Sequence, residues 1–499
     1  MLPRGRSRLA LGATVATLAV VSMQLAHCGS QDLSRDAGSE SESDATVEAS
    51  EPPQGTCGDL GMFCTFDTGV SACAPDSGWQ CAVDTSCASP TRLTGKVFDP
   101  AGLTPLANVI VFIPNVVAQL PPITPGAPTC GGLSIGDYVT ATVTDSTGSF
   151  TLSDVPVGSA VPVTVETGKW RRTVELAIPK ACATTQVPDG TLHLPGRRAD
   201  GDMPQMALLT GGADNLACFL AGIGVDPGEF TAPGGGGSVS VYRGVGGADL
   251  SNGAPGDCTG ALCPLWSTTA SLDAFDVLLL GCEGGENLQT KPASAIQSMH
   301  DWLTSGGKLF GVHSQDTWFA NGPADFQSVA TWVDGPEAGA AGPFQIDTTS
   351  VRGHMFLQWA SAVGILDSDG GLPLLGQDVA TSVSGVTGTT VGWIHDVSTA
   401  GLVSGSAFAG NVKALTIGIP RGVVDGGVEE TAQVCGRAVL TDIHPGGTAP
   451  RSPIPSSCAG LGLTPEEKAL EFLFFDDFIP PMPACDCPPP PPPPPDQGG

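Results

Sequence analysis

The sequence is poor in positive charge. Lys and Arg together number 21 against 50 Asp and Glu, and the formal net charge is −29 at a pI of about 4.3. Binding of nucleic acid or of an anionic lipid surface requires clustered Lys and Arg. The composition therefore excludes nucleic acid as a partner and leaves the membrane as a partner only through a lipid anchor.

Charged and aromatic residues are also scarce, at 14% and 6% of the chain, whereas glycine and proline number 68 and 44. This balance favours turns and strands over long surface helices. The apolar content of 41% is too high for a wholly disordered chain and suffices for two or three packed cores. Apart from residues 9–26, no apolar run is long enough to span a bilayer.

The N-terminal segment has the pattern of a secretory signal, because three Arg residues precede the uncharged apolar stretch at 9–26. Residues 25–29 (LAHCG) resemble a bacterial lipobox, which implies cleavage after residue 27 and lipidation of Cys28. We therefore expect residues 1–27 to be the signal peptide of a lipoprotein anchored in the outer membrane. Ordinary secretion and an uncleaved membrane anchor are the alternatives.

Two segments are expected to lie outside any packed core. Residues 28–56 contain seven acidic residues and one Arg, which predicts a disordered acidic tether. Residues 481–499 include eight consecutive prolines, which predicts an extended Pro-rich tail.

The 16 cysteines indicate an oxidising compartment. Five of them lie between Cys57 and Cys87, in a stretch without His or a CxxC pair, so residues 57–90 are predicted to form a small disulfide-rich knot. Because five is odd, one of these cysteines pairs elsewhere or stays free. Lipidation of Cys28 leaves 15 cysteines, and Cys282 and the tail cysteines are the candidates for a free thiol.

Residues 91–196 have the pattern of an all-β domain, with strands at 93–98, 108–113, 139–145, 150–152, 161–167 and 172–178. The third and fourth of these are expected to form a hairpin around residues 146–148. The motifs at 95–97 (GKV), 144–150 (TDSTGSF) and 155–158 (VPVG) resemble a carboxypeptidase-regulatory-like (transthyretin-like) sandwich. That resemblance implies a non-catalytic module.

From residue 202, unbroken apolar strands alternate with amphipathic helices. The strands are predicted at 206–210, 277–280, 309–312, 414–419 and 438–440, and helices at 216–223, around 296–303 and from residue 464. The last helix begins with a capping box formed by Thr464 and Glu467. This alternation predicts a parallel sheet covered on both faces.

The segments 302–314, 436–444 and 469–473 resemble the trehalose-utilisation (ThuA-like) family of the class I glutamine-amidotransferase-like, flavodoxin-like fold, over residues 202–480. The complete order of anchor, knot, sandwich and α/β domain resembles that of secreted myxobacterial-type proteins. The predicted fold class is therefore multidomain: a small disulfide-rich knot, an all-β sandwich and an α/β parallel-sheet domain.

In the amidotransferase-like family the nucleophile is a Cys on a sharp strand-to-helix turn, G-x-C-x-G. The matching residues here are 311–315 (GVHSQ), and His313 stands at the Cys position, so the thiolate hydrolysis of glutamine is not available there. His313 and Ser314 are expected to point apart, as neighbours on a strand do. Cys282 follows a different strand and is expected to be disulfide-bonded, to Cys258 or Cys263.

Ligands of open parallel sheets bind at the carboxyl ends of the strands. Polar side chains at those ends are expected to converge, either holding a divalent metal or acting as acid and base. The candidate catalytic residues are His313, Glu283 and His444, and the candidate ligand-binding residues are Asp214, Asp316 and His395. The structural alternatives are a helix cap for Asp214, bonds to loop amides for Glu283 and a buried network for His313.

The sequence predicts two alternative functions. The first is a cell-envelope or secreted binding or scaffold protein with a degenerate amidotransferase-like domain, whose partner is a glycan or an envelope protein. The second is an extracytoplasmic enzyme that acts on a sugar-derived substrate through His313, Glu283 and His444, either with or without a divalent metal as cofactor. The absence of Cys at position 313 favours the first.

Overall fold

The computed structural model describes residues 78–128, 135–261, 263–333, 342–374, 382–388, 390–397, 411–420, 434–446 and 452–477. These residues lie in one compact unit. The predicted signal peptide, tether and Pro-rich tail, with most of the predicted knot, lie outside the described residues. None of the helices in these ranges combines the length and the apolar character needed to cross a bilayer.

The first part of the described chain forms two four-stranded sheets. Their strands are β1 (Arg92–Phe98), β2 (Ile110–Pro114), β3 (Tyr138–Val143), β4 (Ser149–Ser153), β5 (Gly158–Thr167), β6 (Trp170–Ile178), β7 (Thr184–Gln186) and β8 (Leu192–His193). One sheet has the order β4-β1-β7, with β8 also paired to β1, and the other has the order β3-β2-β5-β6. Both sheets bury alternate side chains in one hydrophobic cluster, as in a sandwich.

The predicted hairpin of residues 139–145 and 150–152 is wrong. Strand β3 pairs with β2, whereas β4 pairs with β1 in the other sheet. The turn between them is as tight as expected, because the Asp145 carboxylate accepts hydrogen bonds from the backbone N–H groups of Thr147 at 2.7 Å and Ser149 at 3.0 Å. Turn chemistry is local, so it does not reveal that the chain here crosses between two sheets.

The second part contains a large mixed sheet and the helices that cover it. Its strands are β9 (Met206–Thr210), β10 (Phe230–Thr231), β11 (Val239–Arg243), β12 (Gly256–Asp257), β13 (Val277–Leu280), β14 (Lys308–Val312), β15 (Ala330–Trp332), β16 (Phe344–Ile346), β17 (Val383–Val386), β18 (Thr390–Asp396), β19 (Asn411–Pro420) and β20 (Val434–Thr441). The helices are α1 (Leu216–Gly222), α2 (Thr269–Leu272), α3 (Ala293–Thr304), α4 (Thr317–Ala320), α5 (Ala324–Gln327), α6 (Val351–Ala362) and α7 (Pro465–Asp477).

The sheet is parallel in one half and antiparallel in the other. Strands β10, β11, β9, β13, β14 and β20 follow each other in this order and run parallel. Strand β19 is antiparallel to β20, and β15 to β18 continue the sheet with antiparallel pairs. The expectation of a wholly parallel sheet is therefore corrected. An unbroken apolar strand indicates burial on both faces of the sheet, but it does not indicate whether the strand runs parallel or antiparallel to its neighbours.

Two hydrophobic clusters cover the two faces of the sheet. Leu208 on β9 belongs to the cluster that includes helices α1 and α7, whereas its neighbours Ala207 and Leu209 belong to the cluster around α3. The reciprocal capping box of α7 is confirmed: the Thr464 N–H donates to Glu467 Oε2 at 2.9 Å, and the Glu467 N–H donates to Thr464 Oγ1 at 3.2 Å.

The sandwich packs against helices α6 and α7. Trp170 at the start of β6 contacts the ring of Phe475 on α7 edge to face, with centroids 5.9 Å apart. The Trp359 indole N–H of α6 donates to the Pro105 carbonyl at 2.7 Å. The sandwich and this face of the large sheet thus share one hydrophobic cluster.

Disulfides join distant parts of the described chain. Cys87 bonds to Cys182 of the sandwich, and Cys218 on α1 bonds to Cys458. The pairing of Cys87 outside its cysteine-rich neighbourhood agrees with the odd count in that segment. Disulfides of this kind are typical of exported proteins.

Candidate functional site

The carboxyl ends of three neighbouring parallel strands bring together one cysteine and two histidines, residue types that can bind a metal ion. Cys282 follows β13 after one residue, His313 directly follows β14, and His444 lies three residues beyond β20. One donor atom from each side chain lies within 4.8 Å of the others, and all three residues are buried. Two of the three predicted catalytic residues are therefore adjacent, with Cys282 beside them.

His313 occupies a sharp turn between β14 and a short 3-10 helix at His313–Asp316. Its φ is +45°, in the left-handed region that residues with a side chain rarely adopt. The turn brings both His313 Nδ1 and Ser314 Oγ to 3.5 Å from Cys282 Sγ. The expectation that His313 and Ser314 point apart is wrong, because neither residue continues the strand.

Cys282 is a free thiol, so the expected disulfide to Cys258 or Cys263 is wrong and its place among the candidate free thiols is confirmed. Those two cysteines, five positions apart, bond to each other. Burial, and then the charge of Asp214, raise the pKa of the Cys282 thiol to about 11. A thiol with this pKa is protonated at neutral pH and is a poor nucleophile by itself.

The Asp214 side chain holds the backbone of the loop that carries Cys282. Its carboxylate accepts hydrogen bonds from the Cys282 N–H at 2.5 Å and from the Leu216 N–H at 3.4 Å. A side chain at Gly281 would approach the Asp214 carboxylate to 2.8 Å, so glycine is needed there. Burial raises the pKa of Asp214 to about 7. The residue at the cap of α1 is Asn215, and the predicted capping role of Asp214 is limited to its bond to Leu216.

His444 has a buried ring nitrogen that lacks a hydrogen bond. Its Nδ1 has no hydrogen-bond partner among the described residues, and the ring centroid lies 5.3 Å from that of His313. Burial, reinforced by the nearby His313, lowers the pKa of His444 to about 4. The imidazole is therefore neutral at physiological pH, which leaves a nitrogen lone pair available to a ligand.

Glu283 is held in a buried ion pair and does not join the cluster. Its Oε2 lies 2.5 Å from Lys291 Nζ, and neither side chain is exposed. Its Oε1 accepts a hydrogen bond from the Val245 N–H at 2.9 Å, which confirms the structural alternative of a bond to a loop amide. The structure gives Glu283 a role in holding the loop that carries Cys282, and its predicted catalytic role stays a prediction.

The remaining candidates lie apart from the three-residue cluster. Asp316 is half-buried in the last position of the 3-10 helix. His395 lies within β18 rather than after a strand, and its Nε2 is 3.3 Å from Asp347 Oδ2. Neither residue belongs to the donor group formed by Cys282, His313 and His444.

The sequence alone did not indicate that Cys282 lies beside His313 and His444, or that Lys291 is the partner of Glu283. Cys282 comes after a buried parallel strand, which is the same signal that identified the other candidates. Cysteines of exported proteins are usually disulfide-bonded, and this expectation favoured a disulfide at Cys282. Lys291, which reads as an ordinary surface lysine eight residues after Glu283, is fully buried against it.

Comparison with known proteins finds no matching family model and no matching curated protein. Among solved structures, the chain is similar to two interface mutants, N-terminal and C-terminal, of a type II cohesin–X-dockerin complex from Acetivibrio cellulolyticus. Each likeness covers 28% of this chain and 75% of the matched chain, at 17% and 18% identity and TM-scores of 0.15 and 0.14. Similarity at this level supports no inference about this protein.

Proposed function

We propose that this protein is an exported binding protein whose amidotransferase-like α/β domain holds a small polar ligand at the carboxyl ends of its parallel strands. The strand order β11-β9-β13-β14-β20 supports this proposal. In chain order it corresponds to 2-1-3-4-5, an order of doubly wound sheets whose ligands bind at this edge.

The observation that carries the proposal is the left-handed turn at His313. A strained strand-to-helix turn is the position from which such folds present a catalytic nucleophile. Here that position holds an imidazole with a φ of +45° instead of a thiol. Strain of this kind clusters at binding and catalytic sites. The turn therefore supports a binding role, while the group that would attack glutamine is absent from it.

Export of the protein is supported by the disulfides, and a lipid on Cys28 would tether it to the outer membrane. The resemblance to the trehalose-utilisation family favours a saccharide or a sugar acid as the ligand. The sandwich would then present the α/β domain to glycans or to an envelope protein partner.

The alternative enzymatic function is less well supported. It requires the Glu283 carboxylate as an acid or base, and this carboxylate is fully buried against Lys291. Only His313 and His444 of the proposed catalytic residues face each other.

Two measurements on the exported chain test the proposal. We expect no release of ammonia from glutamine, and we expect a thermal shift with at least one member of a panel of neutral sugars and sugar acids. The shift should be lost in His313→Ala and kept in His354→Ala, which changes an exposed histidine on α6. Hydrolysis of glutamine, or the absence of any shift across the panel, would overturn the proposal.

A further inference from the structure

We propose that Cys282, His313 and His444 form a binding site for one divalent transition-metal ion, and that zinc is the ion their chemistry fits best. The inference deepens the proposed function, because the ion would lie at the same edge of the sheet where we place the ligand. It identifies a cation as the group that would contact that ligand.

The spacing of the donors fits a zinc ion. A tetrahedral zinc with Zn–S of about 2.3 Å and Zn–N of about 2.0 Å separates sulfur from nitrogen by about 3.5 Å. Cys282 Sγ lies 3.5 Å from His313 Nδ1, and the His444 donor completes a group in which all atoms lie within 4.8 Å. One sulfur and two imidazoles form a mixed S/N donor set. Zinc binds such sets, whereas calcium and magnesium prefer oxygen ligands.

The unpaired nitrogen of His444 is a second, independent observation. A buried polar atom without a partner destabilises a fold, and His444 Nδ1 is such an atom among the described residues. A metal ion would give this nitrogen a partner.

The backbone holds the three donors in a fixed arrangement. Residue Leu280 at the end of β13 pairs with Gly311 on β14, and Gly311 pairs with Leu440 on β20. The three strands therefore end side by side, and each donor follows its strand by one to three residues. Three protein donors leave a fourth tetrahedral position open, which is the pattern of zinc sites that bind a further ligand.

The surroundings also favour a cation. The carboxyl group of Asp214 accepts a hydrogen bond from the Cys282 N–H at 2.5 Å and so adds an acidic group next to the site. A metal ion would replace the proton of the buried Cys282 thiol, so that the thiolate is neutralised by the ion. A second group of potential donors, Asp84, Cys87 and Cys182, lacks this capacity because its two cysteines form a disulfide.

Cobalt provides a spectroscopic test on the full exported chain. We expect the protein, after removal of metals by a chelator, to bind one Co²⁺ per chain with a sulfur-to-cobalt charge-transfer band in the near ultraviolet. Zn²⁺ should displace the cobalt and abolish the band. The band reports on a cysteine thiolate bound to the ion, and its loss in Cys282→Ser assigns that thiolate to Cys282.

Variants assign the remaining donors. We expect Cys282→Ser to lose the charge-transfer band, and His444→Ala to bind Zn²⁺ at least about tenfold more weakly. His354→Ala should bind as the wild type does, and circular dichroism should show that each variant is folded. The absence of the band in the wild type, or its persistence in Cys282→Ser, would overturn the proposal.

The same samples separate this inference from the proposed function. The saccharide screen is repeated in the presence of a chelator. A thermal shift by a saccharide that persists without metal, in a protein that gives no cobalt band, overturns the metal site and leaves the binding function standing. A cobalt band in a protein that responds to no saccharide overturns the proposed saccharide binding and leaves the metal site standing.

Discussion

Lys291 Nζ lies 2.5 Å from Glu283 Oε2, and neither side chain is exposed to solvent. The ammonium group also donates to the Glu286 carbonyl at 2.9 Å and lies 5.9 Å from the ring centroids of Trp266 and Trp318. The ion pair therefore holds residues 283–291 against the rings of Trp266 and Trp318. Because Glu283 directly follows Cys282, the ion pair also positions the cysteine.

Removal of Lys291 should destabilise the protein strongly. Lys291→Met leaves the Glu283 carboxylate buried without a counter-ion, which costs about 3–5 kcal/mol. The double variant Lys291→Met/Glu283→Gln should recover much of this loss, since it removes both charges. Urea unfolding measures the free energies.

The control for this prediction is Arg243→Met, which breaks the exposed pair of Arg243 with Asp249. Exposed pairs of this kind contribute about 0–1 kcal/mol. If Lys291→Met cost no more than Arg243→Met, the structural role of the buried pair would be refuted.

Replacement of His313 by glycine should be tolerated better than replacement by alanine. Both substitutions remove the imidazole, but only glycine adopts a φ of +45° without steric cost. We expect the glycine variant to exceed the alanine variant in unfolding free energy by about 1 kcal/mol, measured with chelator present. This order is the reverse of that at ordinary positions, where glycine destabilises through unfolded-state entropy. An equal or lower stability of the glycine variant contradicts the left-handed turn.

Glu471 on α7 and Asp99 of the sandwich form a buried carboxyl pair between the two parts of the fold. Within the described part of the chain, both carboxyl groups have oxygens without a hydrogen-bond donor, and a proton shared between the two groups would satisfy them. Burial, then the negative charge of Asp99, raise the pKa of Glu471 well above its ordinary value of 4.5. Burial also raises the pKa of Asp99.

This pair predicts a pH dependence of stability. A carboxyl whose pKa is raised on folding stabilises the protein fully below its unfolded pKa, and that stabilisation is lost as the pH rises through the folded pKa. Glu471→Gln carries a permanent donor and no charge, so its advantage over the wild type should be small at about pH 4.5 and larger at about pH 8. Urea unfolding at both pH values gives the comparison. Glu175→Gln, on the exposed side of β6, is the matched control and should show no such gain.

The disulfide between Cys218 and Cys458 should matter more than that between Cys258 and Cys263. The first closes a loop of 240 residues and the second a loop of 5. In the chain-entropy model this difference corresponds to about 3 kcal/mol. We expect Cys218→Ala/Cys458→Ala to lower the melting temperature more than Cys258→Ala/Cys263→Ala. Equal losses would show that the loop length does not govern these bonds.

The local elements near the site were predictable from sequence. Residues 206–210 and 277–280 are strands at the expected positions, and Thr464 and Glu467 form the expected capping box. These features depend on hydrophobic periodicity and on hydrogen bonds between residues three or four positions apart. The convergence of His313 and His444 also followed from sequence, because the carboxyl ends of neighbouring parallel strands lie at one edge.

Only the tertiary structure decided how distant segments pair. The placement of β3 and β4 in different sheets, the antiparallel half of the large sheet and the free state of Cys282 depend on contacts between residues far apart in the chain. The same holds for Lys291 and Glu283, whose burial depends on Trp266 and Trp318. The scarcity of positive charge was visible in the sequence. The complete burial of Lys291 was not visible there, because its burial is favourable only once the packed aromatic core and the paired carboxylate exist around it.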